Sequence, residues 1–185
     1  MASKIDLISN ALILIGDLPI TSLTGNARAQ VVANNLYENI KKAELSKFPW
    51  SFARKKFVVT ADSVAPVGSE WKKKYTLPSD LLFLIKINPN IPYRVYGNEI
   101  YTNYEESITV DYIHNVSEAL FPESFAKVME YALAKDFALS IRDSRTTKDI
   151  MASEYLNQSR MARFTDSQQQ PVTPIQSRPF IDVRN

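Results

Sequence analysis

Residues 93–102 have the sequence YRVYGNEIYT, and this stretch decides how the middle of the chain folds. Two four-residue segments rich in Tyr, Val and Ile flank the pair Gly97-Asn98. A Gly-Asn pair supplies the positive φ that a two-residue hairpin turn demands. The stretch therefore predicts a β-hairpin whose strands are residues 93–96 and 99–102.

Four further segments around the hairpin are rich in Val, Ile, Tyr, Phe and Thr, and Pro, Gly, Asn and Asp separate them. They are residues 52–60, 73–77, 81–88 and 107–115. Short β-branched and aromatic segments between turn-forming residues are typical of strands. Their spacing predicts an antiparallel sheet.

Helical patterns lie on both sides of the strand-rich segment. Ser3, with Asp6 three residues later, predicts the start of a first helix that continues to Gly16. Apolar residues at helical spacing predict three more helices. These three are residues 26–47, 123–140 and 146–164.

The order of these elements predicts an α+β fold. We expect an antiparallel helical bundle built from both ends of the chain, residues 1–48 and 118–166. A small antiparallel β-sheet lobe, residues 49–117, is inserted into it. The aromatic stretch FPWSF at residues 48–52 is expected to form core where the second helix meets the sheet.

Residues 167–185 predict an extended C-terminal tail, because three glutamines in a row and three prolines leave no helical periodicity. The tail is too short and too rich in proline to form its own core. Its apolar and proline residues therefore predict docking on a neighbouring protein. They are Pro171, Val172, Ile175, Phe180, Ile181 and Val183.

Composition excludes several classes of enzyme site. The 185 residues contain no Cys and one His, which excludes a disulfide framework, a thiolate zinc site, a cysteine nucleophile and a multi-histidine metal site. Four glycines and no GxGxxG or GxxxxGK[ST] motif leave nucleotide binding of those types unsupported. We expect no metal and no cofactor, and we expect His114 to be a packing or surface residue because no GxSxG motif accompanies it.

The chain predicts a soluble protein. The N-terminal segment has acidic and polar residues within its apolar stretch, which favours a folded helix over a secretory signal. The longest apolar runs, residues 11–15 and 81–85, are far shorter than a membrane span requires. We expect no membrane partner.

The net charge of +2 conceals an uneven distribution. Residues 41–74 contain nine basic and three acidic residues, a local charge of +6, and the remainder carries −4. Such a basic segment can attract DNA phosphates or an acidic partner, although a solvated face has the same composition. Its central members are Arg54, Lys55, Lys56, Lys72, Lys73 and Lys74.

Three acidic residues close together leave a carbohydrate-cleaving activity open as an alternative. Glycoside hydrolases need two carboxyl groups about 5 to 9 Å apart. Glu105, Glu106 and Asp111 are the candidates, but residues 106 and 111 of one strand would point to opposite faces. We therefore expect a structural protein rather than an enzyme.

Several segments together resemble tail tubular protein A, the head-to-tail adaptor family of short-tailed phages. The resemblance covers residues 3–166, and its specific elements contain Pro-Trp-x-Phe-Ala and Tyr-x-Leu-Pro-x-Asp. The matching segments are IxxxSxxLILIGDLPITSL (5–23), FPWSFARK (48–55), WxxxYTLPSDLL (71–82), YGNEIYT (96–102), VDYIHNV (110–116), LFPESF (120–125) and YALAKDFA (131–138).

The resemblance implies a homo-oligomeric ring of about twelve copies in the virion tail, assembled in the host cytoplasm. The ring would join the portal protein to the tail nozzle protein, and phage DNA would pass through its lumen without sequence-specific binding. The family's helical lobe and C-terminal segment face the portal, and its sheet lobe faces the tail. Carried over, the apolar tail residues dock on the portal, and the hairpin residues Tyr96, Gly97, Asn98 and Glu99 contact the nozzle.

Two alternative functions stay open. One is an adaptor with accessory peptidoglycan-hydrolase activity at the three carboxylates. The other is a DNA-binding module that uses the basic segment of residues 41–74, with an affinity that falls steeply as salt rises.

Overall fold

Four α-helices and two antiparallel sheets form a mixed α/β fold in the computed structural model, which describes residues 2–169. The helices are α1 (Lys4–Leu14), α2 (Arg28–Ser46), α3 (Glu123–Ser140) and α4 (Arg145–Gln168). The strands are β1 (Arg54–Val59), β2 (Lys73–Thr76), β3 (Leu81–Asn88), β4 (Tyr93–Tyr96), β5 (Glu99–Thr102) and β6 (Ile108–His114). Short 3-10 turns at Ser51–Ala53 and Glu118–Leu120 join the helical and strand segments.

The start of α1 confirms the predicted N-cap. The Ser3 hydroxyl accepts a hydrogen bond from the Asp6 backbone N–H at 3.1 Å, and the Asp6 carboxylate accepts one from the Ser3 backbone N–H at 3.1 Å. These reciprocal bonds satisfy two N–H groups that a helix start leaves free. After the helix, Gly16 has φ of +75°, a conformation that favours glycine and turns the chain.

The prediction of a single sheet is wrong, because the six strands form two sheets of three. The first sheet has the order β1-β6-β3, and the second has the order β2-β5-β4. The reason lies in β6, which is buried on both faces. Ile108, Val110 and Tyr112 pack against the second sheet, while Ile113 points the other way into the helical core. A central strand with two apolar faces requires a layer on each side.

The helical core combines residues from both ends of the chain with residues of the first sheet. Helix α3 contacts α1, α2 and α4. Trp50 is fully buried in this core, and its ring meets Phe48 and Phe125 edge to face, with centroids 5.0 and 4.9 Å apart. This confirms the predicted aromatic core at residues 48–52. Because Ile113 belongs to the same core, the first sheet packs directly on the helices.

The predicted start of the tail at residue 167 is wrong, since α4 continues to Gln168. The apolar pattern stops at Phe164, but a buried polar contact extends the helix. The carboxylate of Asp166 accepts hydrogen bonds from the Ser51 backbone N–H at 3.1 Å and from the Ser51 hydroxyl at 2.6 Å. A polar anchor of this kind leaves no mark in hydrophobic periodicity.

The predicted start of the first strand at Phe52 is also wrong. β1 begins at Arg54, because Ser51–Ala53 form the 3-10 turn.

The contact between Asp166 and Ser51 predicts a clear loss of stability when the carboxylate is removed. We expect Asp166→Ala to lower the free energy of unfolding by about 1–3 kcal/mol, because it leaves the part-buried donors of Ser51 without their charged acceptor. Urea unfolding followed by circular dichroism measures this change. Asp149→Ala removes an exposed carboxylate from the same helix and should change stability by less than about 0.5 kcal/mol. Equal effects of the two substitutions would contradict the anchoring role.

Candidate functional site

One face of the first sheet points away from the second sheet. On this face, the residues of β6 change from apolar to polar along the strand. Ile113 faces the helices, but Asp111 and Thr109, two and four residues earlier, lie on the same face beyond them. Register places Lys56 of β1 and Lys86 of β3 on either side of Asp111. Directly opposed residues share a face of a sheet. The three side chains therefore form a row across this surface.

Asp111 is buried, and an arginine holds its charge. The guanidinium of Arg54 donates to Asp111 Oδ2 at 2.7 Å through Nη2 and to Oδ1 at 3.5 Å through Nε. The Asp111 side chain is only 5% exposed, whereas the Arg54 side chain is 30% exposed, so the carboxylate is buried and the guanidinium remains partly in water. Charge-assisted bonds between guanidinium and carboxylate fix orientation as well as distance. The pair therefore adds no net charge to the surface that carries the two lysines.

Two adjoining hollows of about 440 and 410 Å³ open over this row, and both are lined by Lys56, Lys86 and Asp111. We call them together the sheet groove. Asn88, Asn90 and Thr109 line the larger hollow and add amide and hydroxyl groups. Lys56 and Lys86 are exposed, and within residues 2–169 neither has a carboxylate in ion-pair range. The groove therefore presents two unneutralised ammonium groups beside neutral hydrogen-bonding groups.

The basic segment of residues 41–74 does not form one patch. Five of its nine basic side chains lie within ion-pair distance of a carboxylate. These pairs are Lys41–Glu118, Lys47–Glu44, Arg54–Asp111, Lys55–Asp80 and Lys74–Glu99. Lys73 and Lys74 lie in the second sheet with Lys72 just before it, whereas Arg54, Lys55 and Lys56 lie in the first. From this segment, the structure brings Arg54, Lys55 and Lys56 to the groove, and of these three only Lys56 has no carboxylate in ion-pair range within residues 2–169.

Sequence reasoning missed the part of the groove that comes from β3, and it named Asp111 of β6 only as a candidate carboxylate for hydrolysis. Lys86 interrupts the otherwise apolar segment LLFLIKI of residues 81–87. A lysine inside an apolar strand is a signal that one face of the strand meets water. The signal could have been noticed, but the pairing of Lys86 with Asp111 depends on a register that the sequence does not reveal.

The three carboxylates considered for hydrolysis are not brought together. Asp111 is held by Arg54, and neither hollow that it lines includes Glu105 or Glu106. Glu106 precedes β6 and accepts a hydrogen bond from the Tyr104 hydroxyl at 3.0 Å.

The single histidine, His114, makes a contact within the fold. Its Nδ1 atom lies 2.9 Å from the carbonyl oxygen of Ala53.

The hairpin confirms the strands and the turn predicted from residues 93–102. Tyr96 pairs with Glu99, and Gly97 alone of the two turn residues has a positive φ, of +59°. This combination is typical of a type II′ turn. Glu99 is held within the sheet by Lys74 at 2.9 Å and by the Tyr101 hydroxyl at 3.0 Å, and these two contacts lower the pKa of its carboxyl.

Tyr96 and the hairpin turn are exposed on the surface of the protein. The Tyr96 side chain is 47% exposed and lies 4.8 Å from the Tyr101 ring, measured between centroids. Asn98 ties the turn to the end of β2, because its side-chain amide donates to the Leu77 carbonyl at 3.2 Å. The turn is therefore held firmly while an aromatic ring stays accessible beside it.

Helix α4 carries a second candidate surface. Its buried residues Tyr155, Ser159, Ala162 and Asp166 follow helical spacing along one side. Four large apolar residues point elsewhere and are 54–66% exposed; we call them the α4 patch. They are Ile150, Leu156, Met161 and Phe164. Phe164 is nine residues from Tyr155, which places it about half a turn around the helix.

Polar contacts as well as apolar packing fix the orientation of α4. The Tyr155 hydroxyl donates to Glu44 Oε2 at 2.9 Å and accepts from the Lys47 ammonium at 2.9 Å. Burial is the main cause that raises the pKa of Tyr155. These contacts hold Tyr155 inward, so the α4 patch must face outward.

The predicted portal-docking residues, Pro171, Val172, Ile175, Phe180, Ile181 and Val183, lie outside the described residues. Within residues 2–169, no group of three or more acidic or histidine side chains has a geometry that could hold a metal ion. No helix in that part of the chain combines the length and apolarity needed to cross a membrane.

Comparison with protein-family models finds no match to this chain, and comparison with curated proteins finds none either.

Proposed function

We propose that the chain is a structural virion protein that forms a head-to-tail adaptor ring between the portal and the tail nozzle of a short-tailed phage. In this proposal α1–α4 form an antiparallel bundle that is the body of each subunit. The sequence resemblance motivates the proposal. The observation that carries it is the α4 patch, because four large apolar side chains exposed on one helix suit a contact with another protein.

In this proposal two different surfaces of the helical body meet in the contact between neighbouring copies. Three further large apolar residues, Ile13, Leu18 and Val31, are exposed on α1, in the following loop and on α2. We call these three residues the α1–α2 patch. Contact between the α4 patch of one copy and the α1–α2 patch of the next is heterologous, and heterologous contacts close into rings when the rotation between copies fits.

The two ends of the subunit have different partners in this proposal. The apolar tail residues, from Pro171 to Val183, dock on the portal, where burial of their side chains stabilises the contact. The hairpin presents Tyr96 to the nozzle, and exposed tyrosines are favoured at protein interfaces. Phage DNA passes through the lumen without sequence-specific contacts.

Removal of the tail tests the portal contact. We expect deletion of residues 170–185 to leave a folded, soluble body, because α4 and its Asp166 anchor are intact. The shortened protein should no longer co-sediment with portal rings from the same genome. The full-length chain and the far-ultraviolet circular dichroism spectrum of the shortened chain are the controls. Undiminished co-sedimentation would reject the portal-docking role of the tail.

A further inference from the structure

We propose that the sheet groove is a phosphate-binding site, with Lys56 and Lys86 as its charged ligands. The ligand class is a phosphate group, carried by a nucleic-acid backbone or by a small phosphate ion. This proposal does not depend on ring assembly or on the portal, because the groove lies within one copy of the chain.

The charge balance of the groove favours an anion. Arg54 and Asp111 neutralise each other through a bond of 2.7 Å, which leaves the ammonium groups of Lys56 and Lys86 as the net charge. The neighbouring lysines of the basic segment are engaged elsewhere, Lys55 with Asp80 and Lys74 with Glu99. Lys56 and Lys86 are therefore the members of this region whose charge is free for a ligand.

The geometry favours a group with several oxygen atoms. Lys56 and Lys86 occupy the strands on either side of Asp111, so their Cα atoms are about 10 Å apart, twice the strand spacing. Flexible lysine stems can converge over the strand between them. Each ammonium has three donors, and Asn88, Asn90 and Thr109 add amide and hydroxyl donors along the larger hollow.

Phosphate fits this donor set better than a carboxylate does. A free phosphate or phosphate monoester carries a charge of about −1.5 to −2 and three strong acceptor oxygens, whereas a carboxylate carries one charge on two oxygens. A backbone phosphodiester carries a single charge, but successive phosphates along a nucleic acid place several charges close together. Lysine binds phosphate as a point charge, and the open shape of the groove admits a chain of phosphates as well as a single ion. Backbone binding of this kind is independent of sequence.

Fluorescence anisotropy with a labelled 16-base-pair duplex tests the proposal at 50 and 200 mM KCl. Pyrophosphate, inorganic phosphate and polyglutamate serve as unlabelled competitors, and isothermal titration calorimetry measures whether each of them binds by itself. We expect the double variant Lys56→Gln/Lys86→Gln to bind at least tenfold more weakly. The slope of log affinity against log salt should shrink by about two, one for each lysine removed. Thermal unfolding of the variant should match that of the natural chain, since both lysines are exposed.

A second double variant, Lys42→Gln/Lys72→Gln, is the matched control. It removes two exposed lysines that lie outside the groove, and it should retain most of the affinity. If pyrophosphate binds and the duplex does not, the ligand is a small phosphate and the site stands. Equal losses in the two double variants, binding of polyglutamate alone, or no binding of any phosphate ligand would overturn the proposal.

Discussion

A chain carrying Met161→Glu and Phe164→Glu is expected to fold normally and to fail to form rings on its portal. Both side chains belong to the α4 patch and are 63% and 66% exposed, so the isolated subunit gains little from them. Burial of each in a contact between copies contributes about 1.5–3 kcal/mol. The loss at every contact in the ring therefore amounts to about a hundredfold or more in affinity.

Sedimentation velocity of portal mixtures measures this loss directly. Val64→Glu/Val67→Glu is a matched control, because it places two acidic residues at apolar positions that are 64% and 96% exposed in the loop between β1 and β2. The control should form rings as the natural chain does. If the α4 variant forms rings with unchanged affinity, the α4 patch is not a subunit contact.

Glu118→Ala is expected to produce the largest loss of stability among single substitutions of charged residues. Glu118 Oε1 accepts hydrogen bonds from the Lys41 ammonium at 2.9 Å and from the Tyr37 hydroxyl at 3.2 Å, and this joins α2 to the turn before α3. The Lys41 side chain is 6% exposed, so its charge would be left buried and unpaired. We expect the free energy of unfolding to fall by roughly 3 kcal/mol.

Glu38→Ala provides the comparison for this result. Glu38 pairs with Lys4 at 3.1 Å, but its side chain is 46% exposed. A surface pair of this kind contributes less than about 1 kcal/mol. Urea unfolding of both variants distinguishes the two pairs, and similar losses would show that burial of Lys41 does not matter.

The same cluster predicts how stability changes in acid. Burial acts to raise the pKa of Glu118, but bonds from Lys41 and Tyr37 outweigh it, and the pKa lies below its ordinary value of 4.5. A lowered carboxyl pKa stabilises the fold above the unfolded-state pKa, and that contribution is lost as pH falls through the folded-state pKa. In Glu118→Gln, unfolding free energy should therefore fall less between pH 6 and pH 3 than in the natural chain. An unchanged pH dependence would contradict this role.

Local features of the fold could be predicted from the sequence, whereas its long-range pairings could not. β3, β4 and β5 have the predicted bounds, because turn residues such as Gly97 punctuate their strand-forming segments. The division into two sheets was missed, since it depends on which strands pair with β6 rather than on any local pattern.

In the candidate sites too, local features could be predicted from the sequence and long-range contacts could not. The apolar residues of α4 are sparse among polar ones, a pattern typical of a helix that packs only partly within its own subunit, and the exposed residues of the α4 patch agree with that. The charge excess of residues 41–74 was a poor guide, because pairing partners such as Asp111 lie far away in sequence. Only the register of β3 against β6 shows that Lys86 lies in the groove.

Electron microscopy of the full-length protein mixed with portal rings from the same genome tests the adaptor proposal most directly. We predict a closed ring of added density at one end of the portal, with about twelve repeats around an open central channel. Portal rings that stay bare at saturating protein, or single copies attached without a closed ring, would contradict the proposal.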